Sequence, residues 1–263
     1  VSRTLRGSFS LQGVGVHRGG PAKVTVRGGA CGYQLWCRGA SVAITPGCAR
    51  AVAGATVIEG PTFSVGVVEH LLAALFGLGV YHATLEVEGD EIPILDGSSQ
   101  PFVDAIDACG TEPAPPIFPI FTPVAIDGAA VTAGPATWGV EVDFGPPPYP
   151  SGTLVVPANE AGFRRVAAAR TFVRAAEIAA ARAAGRGGGA TAENTVIYDD
   201  TGPWHPERAF ADGGPGEAVR HKLLDLVGDL ALLGRPISGA VFVRRGSHAR
   251  HHALLAAVVA ANG

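Results

Sequence analysis

The sequence predicts an α+β protein of two similar halves, each a small β-sheet with two α-helices, packed face to face as a sheet–helix–helix–sheet sandwich. Three observations lead there. A unit of helix, strand, Gly-Ser and second helix occurs twice, with an early histidine (His70, His221) on its first helix and a glycine (Gly110, Gly263) closing its second. Short stretches rich in β-branched residues precede the helices in both halves. Between the halves lies GTEPAPPIFP at 110–119, whose prolines suit neither a helix nor a central strand. The expected domains are therefore residues 1–113 and 114–263.

In chain order, TLRGSFSL, AKVTVRG and YQLWCRG read as strands separated by Gly, Pro and Ala-Gly turns. VVEHLLAALFGLG follows as a helix, with Leu71, Leu75 and Leu78 at helical spacing and Gly77 and Gly79 as stops. In HATLEVEG, Ala83, Leu85 and Val87 alternate with polar residues, as in a half-buried strand. DGSSQPFVDAIDACG reads as a second helix capped by Ser98 or Ser99, with Pro101 in its first turn and Gly110 at its end.

Strand-like stretches run through 120–156. Residues 158–198 read as a strand, an Ala-rich helix, a glycine loop and a returning strand, a segment suited to being an insertion that shapes a binding channel. GEAVRHKLLDLVGDLALLG is the strongest helix, SGAVFVRR a strand, and GSHARHHALLAAVVAANG the closing helix.

Composition narrows the function classes. With 47% hydrophobic residues the chain of 263 can bury an ordinary core. The formal charge is -3 and no segment collects Lys and Arg, which argues against a nucleic-acid partner but leaves a small anionic substrate open. Four cysteines at irregular spacing, with no Cys-x-x-Cys, argue against a disulfide framework or a cysteine zinc site and for a reducing cytosol. VSRTLRGSFS lacks the apolar core of a secretory signal, and ALLAAVVAA is too short to cross a bilayer. The expectation is a cytoplasmic protein with no integral membrane segment.

The sharpest chemical signal is His221, Asp225 and Asp229, which steps of four residues place on one stripe of the strong helix. Val219, Leu223, Leu226, Val227, Leu230 and Leu233 form the opposite face. Two such side chains four apart can hold a cation, although on this helix alone a solvated face with a His–Asp pair is the simpler reading. Glu69-His70 supplies an imidazole beside a carboxylate that can serve as general base for water. His70 from one half with His221 and Asp225 from the other makes three ligands with a position left open, the arrangement of a catalytic zinc; two imidazoles and a carboxylate also suit ferrous iron. His248, after the Gly-Ser turn, suits a general acid, and spacing does not separate it from His251 and His252. Thr171 in Ala-Arg-Thr-Phe can donate to an oxyanion and is equally ordinary in a strand. Lys222 can meet an anionic or carbonyl oxygen, or snorkel to solvent.

VVEHLLAALFGLGV, EIPILDGSSQPFV, ARTF, the glycine loop with AENTVIYDD, and VRHKLLDLVGDL occur in this order, and the opening TLRGSFSLQGVGVHRGG joins them. Together they resemble the UDP-3-O-acyl-N-acetylglucosamine deacetylase family of lipid A biosynthesis over nearly the whole chain. The resemblance implies zinc held by His70, His221 and Asp225, with Glu69 as base. It implies that Thr171 polarises the acetamide carbonyl, that His248 oriented by Asp229 serves the oxyanion or the leaving amine, and that Lys222 and Phe172 touch substrate. It also implies that an insertion at about 170–198 lines a passage for the fatty acyl chain, in a soluble enzyme acting on a small-molecule acylated UDP sugar. A complete site made from both halves is compatible with a monomer.

The chain departs from the family pattern at Val16-His17-Arg18-Gly19, at Gly246-Ser247-His248, where Gly normally precedes the histidine directly, and at DFGPPPYPSG. His251 therefore stays a reserve candidate for the last histidine. An amidase for another N-acetylated sugar and a non-catalytic nucleotide-sugar-binding homologue are the alternative functions.

Overall fold

The computed structural model describes residues 2–262. Val80–Glu88 runs through the first, seven-stranded sheet, antiparallel to Pro21–Gly28 and parallel to Arg3–Leu5 and Tyr33–Cys37. Ala83, Leu85 and Val87 point into the core while Glu86 and Glu88 face solvent, as their alternation predicts. Ser8–Val14, Ala40–Ala43 and Thr111–Pro113 complete the sheet. TLRGSFSL is thus two strands rather than one, because Arg3–Leu5 pairs with Val80–Glu88 and Ser8–Val14 pairs with Pro21–Gly28. Pro113 ends a strand at the sheet edge, where a missing N–H is tolerated.

The second sheet has five strands in the order Val124–Ile126, Ala129–Thr132, Ala240–Arg244, Thr137–Asp143 and Ser151–Pro157. Among the described residues, six helices accompany the sheets: α1 (Glu69–Gly77), α2 (Gln100–Cys109), α3 (Glu160–Arg164), α4 (Ala175–Ala183), α5 (Glu217–Leu230) and α6 (His248–Asn262). Helices α1 and α2 pack on the first sheet, α5 and α6 on the second, and α1 meets α5 in the middle. One apolar core runs through both layers, joining Leu71, Leu75 and Leu85 to Leu223, Val227 and Val243. This is the sheet–helix–helix–sheet sandwich. Gly263, expected to close the final helix, lies outside the described residues.

The central helices are more deeply buried than their patterns suggest. All nine residues of α1 are buried, and α5 buries every residue except Lys222. A helix covered on both sides has no solvent stripe, so the His221–Asp225–Asp229 row faces the interior rather than water. Leu233 sits past α5 in a short 3-10 turn, and Gly234 ends that turn in the left-handed conformation (φ 63). At the N-terminus of α2, Ser98 Oγ accepts from the Gln100 N–H at 3.1 Å, while Ser99 Oγ donates to the carbonyl of His70 at 2.8 Å.

Gly228 decides how closely the middle helices approach. A Cβ there would stand 2.2 Å from the carbonyl oxygen of Glu69, so the α5 backbone touches α1 at the residue before His70. Two small sheets flank this contact. Thr171–Arg174, Thr195–Asp199 and Gly202–Pro203, with α4, form the expected insertion. Ala49–Val52, Ala55–Glu59 and Ser64–Gly66 form a counterpart in the first half that the sequence did not reveal. Strands of three to five residues are too short for periodicity to show.

Candidate metal centre and catalytic cleft

Close helix contact brings His70 on α1 to His221 and Asp225 on α5. One ligand atom from each lies within 4.8 Å of the others, and all three side chains are buried. His221 Nε2 is 3.3 Å and His70 Nε2 3.9 Å from Asp225 Oδ1, and the two imidazole rings stand edge to face. His221 Nδ1 donates to the carbonyl of Ala169 at 3.0 Å, which leaves the Nε2 lone pair free toward the cluster. Burial lowers the pKa of both histidines, His70 to about 3, keeping them neutral as ligands must be. Burial alone would raise Asp225, yet the Lys222 ammonium and the surrounding imidazoles hold it well below the usual carboxylate range. Two neutral ring nitrogens and a carboxylate oxygen at tetrahedral-like spacing fit a divalent transition metal.

Glu69 precedes His70 and faces the same cleft. Its Oε2 accepts the Thr56 backbone N–H at 3.1 Å, and its Oε1 lies 3.7 Å from His248 Nε2. Burial pushes the Glu69 carboxyl up to about 7, with His248 opposing and Asp229 and Asp225 assisting. On His248 burial works downward, but the carboxylates of Asp229 and Glu69 outweigh it and hold the imidazole up at about 9. His248 Nδ1 donates to Asp229 Oδ2 at 2.8 Å, turning Nε2 toward Glu69. His251 also binds Asp229 and lies behind it, outside the cleft walls. Of the histidines left open by spacing, His248 is the one at the cleft.

The cleft holds about 420 Å³, and Thr171, Phe172, Lys222 and His17 line it with the residues above. Thr171 is fixed by its N–H to the Gly97 carbonyl at 2.8 Å. Gly97 has φ 86, and a Cβ there would meet the Asn194 carbonyl oxygen at 1.7 Å, so only glycine lets the two chains cross under the site. The Phe172 ring packs edge-on against Phe144, Tyr198 and His221. Lys222 does not snorkel to solvent: its Nζ binds Asp225 Oδ2 at 2.6 Å and sits 5.7 Å from the Phe172 ring. A second cavity of about 460 Å³ shares walls at Val16, His17, Thr171 and Phe172 and runs under the insertion between Ile178, Ala181, Ala190 and Ile197, with Arg182 and Arg186 also in its lining.

All nine residues singled out in the sequence therefore surround one cleft or its immediate support. Two participants were missed. Thr56 is fully buried between two carboxylates, with its N–H on Glu69 and its hydroxyl on Asp229 at 2.5 Å. Nothing in ATVIEG marks that threonine. His17 lines both cavities, its backbone held by the Glu91 carboxylate at 3.0 Å, and its mark in the sequence was the departure from the family pattern at Val16-His17-Arg18-Gly19.

Comparison with known proteins identifies the family. The family model for UDP-3-O-acyl N-acetylglycosamine deacetylase matches residues 2–260. A UDP-3-O-acyl-N-acetylglucosamine deacetylase from Phenylobacterium zucineum is 35% identical, covering 98% of this chain and 92% of that protein. Proteins of the same name from Anaeromyxobacter dehalogenans and Neisseria meningitidis serogroup C are 33% and 31% identical, covering 98% and 99% of this chain and 87% and 90% of their own lengths. With both halves of the cleft inside the matched span, the chain belongs to the UDP-3-O-acyl N-acetylglycosamine deacetylase family.

Proposed function

We propose that this protein hydrolyses the acetamide of a UDP-3-O-acyl-N-acetylglucosamine, releasing acetate and the free amine in lipid A biosynthesis. The observation that carries the reading is Glu69 facing His248 across 3.7 Å beside the His70–His221–Asp225 cluster, in a chain of this family. These three residues would hold zinc, which when bound supplies Lewis-acid polarisation of the acetamide carbonyl and of the attacking water. Glu69 takes a proton from that water. The Thr171 hydroxyl donates to the oxygen that gains negative charge. His248, oriented by Asp229, gives its Nε2 proton to the departing amine. Lys222 and Phe172 contact the substrate.

The apolar cavity beneath the insertion at about 170–198 accepts the acyl chain. Residues 1–113 and 114–263 act as two domains, each supplying part of the site, so one copy suffices. We place the protein in the cytoplasm, in keeping with its four free cysteines. No helix among the described residues is long and apolar enough to cross a membrane.

Acetate release from the acylated UDP sugar, followed with zinc-loaded protein, tests the reading. Glu69→Gln should lower kcat by at least about 10²-fold with zinc still bound. Full activity in that variant would contradict the proposed base, and equal rates on a substrate lacking the 3-O-acyl chain would point to an amidase of another N-acetylated sugar.

A further inference from the structure

Helix α6 presents three histidines to one buried carboxylate, and the proposed reaction uses only the first. Asp229 is fully buried, and its Oδ2 takes two imidazoles: His248 Nδ1 at 2.8 Å and His251 Nδ1 at 2.7 Å. Its Oδ1 accepts the Thr56 hydroxyl at 2.5 Å. Having given its proton to Asp229, Thr56 Oγ1 can only accept from His252 Nε2, which stands 3.0 Å away. Thr56 also binds Glu69 through its backbone N–H, so one residue links the carboxylate behind His248 to the carboxylate in front of it.

Asp229, His248 and His251 are also close enough to suggest a metal site. The spacing argues otherwise. Ligands about 2.0–2.1 Å from a tetrahedral zinc stand about 3.3 Å apart, whereas these rings lie at the distance of a shared proton.

We propose that His251, together with Thr56 and His252, is a positioning set that fixes Asp229 and through it the aim and donor face of His248. Each Asp229 contact removes a rotation. With Oδ2 held from the α6 side by His251 and Oδ1 held by Thr56, the carboxylate cannot turn, and His248 must keep Nδ1–H on it and Nε2 toward the cleft. His251 is the neutral member: burial and the nearby imidazolium lower its pKa, so it donates from Nδ1 and keeps a bare, unpartnered Nε2. The groups facing His248 are Asp229, Asp225 and His221 on α5, Glu69 and His70 on α1, Thr56 in the first small sheet, His251 on α6, and His17 at the cavity wall. A neutral donor on Asp229 draws electron density from the oxygen that His248 uses. Removing it makes that oxygen a stronger partner for the imidazolium.

The inference rests on the deacetylase reading, and its test separates the two. In the zinc-loaded full chain, His251→Leu removes the donor, while His251→Asn returns an N–H near the former Nδ1. Expected for the leucine variant are a kcat lower by about tenfold, KM within about twofold, unchanged zinc content, and an alkaline limb moved up by about half a pH unit. The asparagine variant should recover most of the rate and the limb. Nitrogen NMR of the unaltered protein needs no variant to fold: between about pH 7 and about pH 9, His251 should carry its proton on Nδ1 and none on Nε2, with His248 doubly protonated. Unchanged kinetics in His251→Leu, equal losses in both variants, or a proton on His251 Nε2 would overturn the proposal. If the unaltered protein releases no acetate, the deacetylase reading fails, and the ring-nitrogen spectrum still decides the Asp229 arrangement.

Discussion

Glu69 and His248 face each other across the cleft; burial raises the proton affinity of Glu69 to about 7, and the Asp229 and Glu69 carboxylates outweigh burial to raise that of His248 to about 9. Between those values the carboxylate is ionised and the imidazole protonated, the forms that a base and an acid need. A divalent ion held by His70, His221 and Asp225 would make Glu69 ionise at lower pH, so in the metal-loaded protein the acid limb of the rate profile should fall below about 7. The alkaline limb should follow His248 and fall through about 9. Asp229→Asn removes the largest influence raising His248 while the lowering effect of burial remains, so this limb should move to lower pH and kcat should drop by about 10²-fold or more. A pH–rate profile of both proteins checks the sign; a limb that stays in place in Asp229→Asn contradicts the assignment. Much of this chemistry was legible, because His221, Asp225 and Asp229 repeat every four residues and Glu69-His70 is contiguous. Thr56 was not, since an N–H and a hydroxyl serving two carboxylates leave no mark on spacing.

Among the elements, the α1–α5 crossing sets the geometry of the site. Gly228 is an ordinary helical glycine by its sequence neighbours, and its role comes from the Glu69 carbonyl pressed against it. Gly228→Ala should force the helices apart, cost about 1–3 kcal/mol of stability by overpacking, and weaken metal binding by pulling His70 from Asp225. Thermal denaturation with a zinc titration measures both; an alanine variant with unchanged melting and affinity would show that the helices do not touch there. The helices themselves were readable from apolar spacing and glycine stops. Their burial was not, because the charged stripe of α5 matches a solvent face until α1, α6 and the insertion are known to cover it. The small sheet at 49–66 escaped notice for a related reason: its strands are short, and Thr56, a polar residue, faces inward.

At the scale of the whole molecule, two similar layers bury their helices against each other, and the chemistry sits where the layers meet. His70 comes from the first layer and His221 and Asp225 from the second, so a single ion there would tie the halves together. The internal repetition was visible in the order of elements, whereas the depth of the junction appeared only with the packing of α1 on α5. Anomalous diffraction at the zinc edge, from crystals of the zinc-loaded protein, tests this joint grip most directly. The expected map has one strong peak about 2.0–2.2 Å from His70 Nε2, His221 Nε2 and an Asp225 carboxylate oxygen. A peak bound by only one half, or none at this cluster in protein that still releases acetate, would contradict it.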